Sequence, residues 1–366
     1  MAAVSKIQYF ESLRGIAALL IVLRHGDFIY NSPLTTGFIA GQSYLMVDFF
    51  FVLSGWVIAL NYIDRIKTPK SILTFQAKRL LRLYPLHIVT LLAALVIEVL
   101  RYIAESRLGM QPHYPAFELN NGYHFALNVV FLQVPFGEHI SWNTPSWSIA
   151  AEVITYLLFA LLVFFGRRWK YWLIAATAVF GFVMLLPYAH NFNQSVGMPP
   201  VYRCFMAFML GALMQKVSRS VRFQIPPETD YVVLGGITLA LAFPHLIMDI
   251  VYPFLFAGGL LALSLSGVTY AKMALENRVL VFLGTISYGI YMIHTAVWWF
   301  LSNFIRVVFK PTMINVEDQV FQQDLGLFGG LFVHALGIAI TIGAATLSYR
   351  YLETPVSRLR KRYLKS

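Results

Sequence analysis

One cysteine, Cys204, stands in a chain of 366 residues, so no internal disulfide can form and a cysteine-based metal site is excluded. Charge is also scarce. Asp, Glu, Lys and Arg make up 12% of the sequence, against about 25% in a soluble domain. Acidic residues are the rarer sign, 17 against 28 basic, for a net charge of +11. There is no low-complexity stretch, no repeat of fixed period and no pair of broken helices related by inversion. The last absence speaks against a secondary transporter. A cleavable signal peptide is not expected, because Arg14 interrupts a first apolar run that is too long and is followed by no small-residue cleavage site. No soluble domain is expected at either end.

What fills the chain is apolar. Hydrophobic residues make up 58% and the mean hydropathy is +0.66, the composition of a multi-span membrane protein. The expected fold class is an all-α integral membrane protein, a bundle of about ten transmembrane helices. Near-twenty-residue apolar stretches at 7–28, 43–64, 83–105, 146–166, 171–188, 200–216, 231–247, 250–269, 279–303 and 326–349 approach the length a crossing needs. The apolar stretch 123–136 is too short and ends near Pro135, so a re-entrant or interfacial helix is expected there. Most basic residues collect in alternate loops and in the tail. That asymmetry predicts cytoplasmic loops and two cytoplasmic termini, and it accounts for the positive charge without nucleic acid. Residues 1–349 form the expected transmembrane domain. Residues 350–366, with Glu353 and Pro355, form a basic amphipathic tail in contact with membrane lipid.

Ionisable groups inside apolar spans are costly and need partners or a cavity. Arg14 and His25 stand eleven residues apart, three helical turns at about 100° per residue and about 16 Å along the axis. They share a face, either as an interfacial anchor and a packed imidazole or as two parts of a site. Asp48 needs a donor, for which His25 or Arg24 is the candidate, and its role is structural or catalytic. Ser54 and Gly55 permit close helix packing. Lys78, Arg79 and Arg82 precede the third span. They are topological anchors or, because Arg forks match phosphate oxygens, an anion cradle. Glu152 follows Ser146-Trp147-Ser148 and is placed about 9 Å below the outer surface, at the depth of His25. It either pairs within the bundle, with Arg203 as one candidate, or assists a base. Trp147 is by default an interfacial aromatic. Ser287, Tyr291 and His294 fall on one helical stripe, as a hydrogen-bond seam or as part of a site.

Taken together, these motifs resemble the acyltransferase-3 family of bacterial membrane acyltransferases. The residues that carry the likeness are Leu13-Arg14-Gly15 with its spacing to His25, Asp48-Phe49-Phe50 through Leu53-Ser54-Gly55, Arg79-x-x-Arg82 with Tyr84-Pro85, Ser146-Trp147-Ser148 with Glu152, Ser287-Tyr288 through Tyr291 and His294, and Glu353-x-Pro355. The resemblance implies a protein of the bacterial inner membrane and acyl-CoA, most often acetyl-CoA, as cytoplasmic donor without a metal. It also implies O-acylation of a carbohydrate acceptor on or facing the outer side. His25 would be general base or acyl carrier, with Glu152 and Asp48 beside it as catalytic residues. Arg14, Arg79, Arg82 and Lys78 would hold the donor, and Ser287, Tyr291, His294 and Trp147 would support substrate. The form expected is the stand-alone one. A transporter or flippase of a lipid-linked glycan, or an assembly scaffold, is the competing reading.

Overall fold

The computed structural model describes residues 7–30, 32, 35, 38–109, 114–243, 247–309, 313–316, 320–323 and 325–363. It is helical apart from one antiparallel pair, Met313–Val316 with Val320–Gln323, in which Met313 faces Gln323 and Val316 faces Val320. The main helices are α1 (Gln8–Arg24), α2 (Met46–Tyr62), α3 (Pro69–Leu108), α4 (Ser146–Gly166), α5 (Lys170–Leu185), α6 (Pro199–Ser220), α7 (Thr229–Ala242), α8 (Tyr252–Leu265), α9 (Arg278–Thr285), α10 (Ser287–Phe309) and α11 (Gly326–Ser348). A one-turn π-helical segment, Tyr349–Glu353, leads from α11 into α12 (Thr354–Tyr363).

Each of the ten apolar stretches contains a helix, residues 244–246 of the seventh lying outside the described residues, but fewer than ten helical stretches have the length and hydropathy of a crossing. Among the described residues, five helical stretches are long and apolar enough to cross a membrane: Ser43–Tyr62, Pro69–Arg107, Ser146–Tyr188, Ser287–Phe309 and Gly326–Leu359. The others fall short because α1, α7 and α8 have only 17, 14 and 14 residues and α6 carries charge at both ends. The third span is also longer than its apolar core. Thr68 accepts a 3.1 Å hydrogen bond from the Ser71 amide, Pro69 opens the helix, and Gly109 closes it at φ 65°. These are the residues that start and stop helices. The result is a 40-residue helix, about 60 Å long, which carries Lys78, Arg79 and Arg82 within it rather than ahead of it.

Glycines set the tightest crossings. A methyl group on Gly55 of α2 would lie 1.9 Å from the Phe208 carbonyl oxygen of α6, and one on Gly211 of α6 would lie 1.9 Å from that of Val52. Likewise a methyl on Gly284 of α9 would lie 1.9 Å from the Glu11 carbonyl oxygen of α1. Around the α2–α6 crossing, Phe51, Phe75, Phe159 and Phe208 are fully buried. The basic loops meet at one end of the bundle. There Asp64 takes Lys170 at 3.0 Å and Arg219 at 3.5 Å.

The segment before α4 contains two short helices, Gly122–Val129 and Gln133–Phe136, with Phe131 between them at φ 59°. Buried side chains satisfy its irregular backbone. The Asn128 carbonyl accepts from His87 Nε2 at 2.8 Å, Gln133 Nε2 donates to Ser146 O at 3.2 Å, and Trp142 N donates to Asn120 Oδ1 at 2.5 Å. Non-helical chain is tolerated at membrane depth when protein covers it in this way.

Gly211→Ala is expected to destabilise the protein by about 1–3 kcal/mol through overpacking at a backbone contact. Gly343→Ala, where a methyl would meet nothing within 4 Å, is expected to leave the unfolding midpoint in detergent near wild type. Equal midpoints for the two variants would contradict this account of the α2–α6 crossing.

Candidate active site

Arg14 sits where α9 gives way to α10. Its Nε donates to Ser287 Oγ at 3.0 Å and its Nη2 to Gly284 O at 3.2 Å, and it also pairs with Glu11. A carbonyl freed at a helix break needs such a donor. Close approach of Gly15 and Gly284 brings α1 near enough to supply it. Arg14 therefore fastens the helices while lining a cavity.

That cavity lies toward the basic end. Arg14, Ser54, Arg79, Arg82, Ser148, Glu152, Tyr156, Ser287, Tyr288, Tyr291 and Glu353 supply its polar wall, and Phe50, Phe51 and Leu53 are among its apolar residues. Arg82 makes no hydrogen bond or ion pair among the described residues. Arg79 donates to Tyr62 Oη at 3.1 Å and lies 5.1 Å from that ring's centroid, yet its buried Nε has no partner. The hydroxyls of Ser54 and Tyr156, 3.1 Å apart, address Glu152. Lys78, expected beside the arginines, is not part of the lining.

A second cavity opens at the opposite end. Its wall includes Glu98, Arg101, Asn120, Trp142, Asn143, Thr295, Trp298, Trp299, Asn303 and Arg306. At about 390 Å³ it exceeds the first, about 130 Å³. Between them lies a pair of histidines. His294 is fully buried and donates from Nδ1 to Tyr291 O at 2.6 Å, and its Nε2 has no partner. The His25 ring meets it edge-on, with centroids 4.9 Å apart. His25 Nδ1 lies 2.8 Å from the Ile21 carbonyl oxygen. A carbonyl only accepts, so Nδ1 carries a hydrogen, and in the neutral ring Nε2 is the acceptor nitrogen. Tyr291 lines the first cavity and Thr295 the second. They flank His294 on α10, so the histidine pair lies at the level that separates the two spaces.

Two expected placements are corrected. Asp48 is not partnered by His25 or Arg24. Arg203 grips it from α6, with Nε to Oδ1 at 2.9 Å and Nη2 to Oδ2 at 2.7 Å, and the two side chains are 0% and 3% exposed. Arg203 also donates to the Phe192 and Tyr44 carbonyls and lies 5.5 Å from the Trp147 ring centroid. Trp147 thus supports Arg203 and does not line either cavity. Glu152, expected level with His25, shares the first cavity with Arg79 and Arg82, and the histidines do not line that cavity. That expectation takes α4 to begin at the outer surface, whereas the residue just before it packs against α10. Asn143, just before α4, donates to Met292 O at 3.4 Å and accepts from Thr295 Oγ1 at 3.3 Å. Ser148 Oγ lies 2.8 Å from Tyr291 Oη, and Glu152 is one turn further toward the basic end.

Some lining residues were missed by sequence reasoning. Glu98 and Arg101 pair at 3.0 Å inside the third apolar stretch, and their spacing of three on one helix was a readable signal. Glu353, assigned to the tail, reaches the first cavity because a π-helical turn carries α11 onward. Nothing local marked Tyr156.

The family model described as an acyltransferase domain matches residues 7–349. The chain is similar to the acyltransferase MdmB of Streptomyces mycarofaciens, 27% identical over 391 residues that cover 97% of this chain and 93% of that protein. It is also similar to the O-acetyltransferase OatA of Staphylococcus aureus (strain NCTC 8325 / PS 47), 23% identical over 379 residues and 96% of this chain, which spans 58% of that longer protein. No solved structure matches the chain.

Asp48→Asn and Arg203→Met each leave a buried partner uncompensated, at an expected cost of about 3–5 kcal/mol. The double variant is expected to lose less than the sum of the two. Thermal unfolding of all four proteins checks this, and strict additivity would show that the pair is not coupled.

Proposed function

We propose, from the premise that this chain belongs to the acyltransferase domain family across residues 7–349, that it is a membrane O-acyltransferase using acyl-CoA to modify a carbohydrate hydroxyl. The carrying observation is the histidine pair set between two cavities of unlike character. One presents unpaired arginine donors and the other an aromatic and amide-rich wall.

The first cavity suits an anionic donor. Arg82 and the Arg79 Nε have unused hydrogen-bonding capacity beside a space shaped by Phe50, Phe51 and Leu53, and an Arg-x-x-Arg pair matches phosphate oxygens. Arg14 contributes charge there while fastening α1 to the α9–α10 break. Lys78 adds positive charge nearby on α3. Acyl-CoA supplies an acyl thioester, and with acetyl-CoA the product is an acetyl ester; no metal takes part. The orientation that suits this donor puts the basic end and both termini in the cytoplasm of a bacterial inner membrane, as the loop charges favour.

His25 accepts the proton of the acceptor hydroxyl at Nε2, its tautomer set by the Ile21 carbonyl. His294, with an unsatisfied Nε2 beside it, relays that proton or holds the hydroxyl. Tyr291 and Ser148 close the wall beneath His294, and Ser287 anchors it through Arg14. Glu152 acts from the donor side by balancing the arginines and fixing the Ser54 and Tyr156 hydroxyls. Asp48 acts through Arg203, and Trp147 backs Arg203. These two are positioning residues for α2 and α6. Over the whole reaction the acyl–sulfur bond breaks, an ester bond to the acceptor oxygen forms, and the hydroxyl proton ends on the CoA thiol.

Membranes containing His25→Ala are expected to transfer label from acetyl-CoA to glycan about 10²–10⁴-fold more slowly than wild type, the range for loss of a general base. Wild-type incorporation would remove His25 from the reaction. Arg82→Ala is expected to raise the acetyl-CoA concentration needed for a thermal shift by about ten-fold, the loss of one charge-assisted hydrogen bond. An unchanged titration would move the donor elsewhere.

A further inference from the structure

The second cavity holds a cation that no carboxylate among the described residues pairs with. Glu98 is fully engaged, accepting from Arg101 at 3.0 Å, Asn120 Nδ2 at 3.1 Å and Phe117 N at 2.9 Å. Arg101 is equally engaged, donating to Tyr114 O at 2.8 Å and to Glu105 at 3.5 Å, with its guanidinium 5.8 Å from the Trp299 ring centroid. Arg306 lines the same cavity and makes no hydrogen bond or ion pair among the described residues. Lys and Arg are sparse at this end, so membrane topology gives no reason for it. Of the cavity's two arginines, Arg306 is therefore the one with no ion-pair partner among the described residues.

Its position is set by α10. Thr295, Trp299, Ser302 and Arg306 recur at i, i+4, i+7 and i+11, a single helical stripe, and all four line the cavity. Thr295 adjoins His294, and Arg306 stands eleven residues beyond, about 16 Å further along the axis. A ligand whose reacting hydroxyl lies at the histidines and whose charge meets Arg306 is longer than one pyranose ring. Trp142, Asn143, Trp299 and Asn303 line the way between.

We propose that the acceptor is an extended saccharide bearing an oxyanion, carboxylate or phosphate, at the end remote from the acylated hydroxyl, and that Arg306 binds that oxyanion. This rests on the acyl-transfer reading for the position of the reacting hydroxyl, whereas the anion site can be measured without any donor.

The test is calorimetric binding to the full chain purified in a nonionic detergent. Trigalacturonic acid is compared with its trimethyl ester, and maltotriose 1-phosphate with maltotriose. The expected result is about ten-fold tighter binding of the anion in at least one pair, the worth of one charge-assisted hydrogen bond. The pair that shows it separates a carboxylate from a phosphate source. Arg306→Gln is expected to close the gap and Arg306→Lys to retain part of it, with both variants keeping the wild-type unfolding midpoint. Equal binding within both pairs, or a gap that survives in Arg306→Gln, would overturn the proposal. Monomeric galacturonic acid binding as tightly as the trimer would overturn its extended form. Because no acyl-CoA is present, failure of the donor reading leaves these outcomes interpretable, and label transfer from acetyl-CoA reports on that reading separately.

Discussion

A charge buried in a helical bundle has to be met by another polar group, and this requirement shapes both the packing and the cavities. Asp48 is met by Arg203, Glu98 by Arg101 and Asn120, and Arg14 by Glu11, Ser287 and the Gly284 carbonyl. Asp48–Arg203 and Glu98–Asn120 cross between segments and Arg14 closes the α9–α10 break, while Glu98–Arg101 and Glu11–Arg14 are pairs within one helix. Groups with no hydrogen bond or ion pair among the described residues are therefore informative. Arg82 and the Nε of Arg79 face one cavity and Arg306 faces the other, while the Nε2 of His294 lies between the two.

Helix α10 joins the two ends of the site. Its first turns carry Ser287, Tyr288 and Tyr291 at one cavity, its middle carries His294, and its outer turns carry Thr295, Trp299 and Arg306 at the other. The segment ahead of α4, with its two short helices, packs beside this helix. It brings Asn143 against the middle of α10 and leaves room above for the second cavity. The same arrangement sets the position of Glu152. A carboxylate two turns into α4 shares the first cavity with the arginines.

The helical membrane character follows from scarce charge and long apolar stretches, and the sequence carries both directly. The alignment of Arg14 with His25 and the stripe of Ser287, Tyr291 and His294 were legible for the same reason, since helical geometry relates residues a few turns apart. The short structure near 123–136 was legible from its length and Pro135. The partner of Asp48 was not, because Arg203 lies 155 residues away and no local pattern specifies which helices meet. The position of Glu152 depended on how an irregular segment folds back into the bundle.

The sequence by itself therefore determined the helices, the polar stripes they carry and the cost of every ionisable group within them, since these depend on short-range periodicity and composition. Only the tertiary structure decided which charges neutralise one another and which remain open to a cavity. Those outcomes depend on close helix crossings at Gly55, Gly211 and Gly284 and on the packing of the segment before α4 against α10, where backbones approach across long sequence separations.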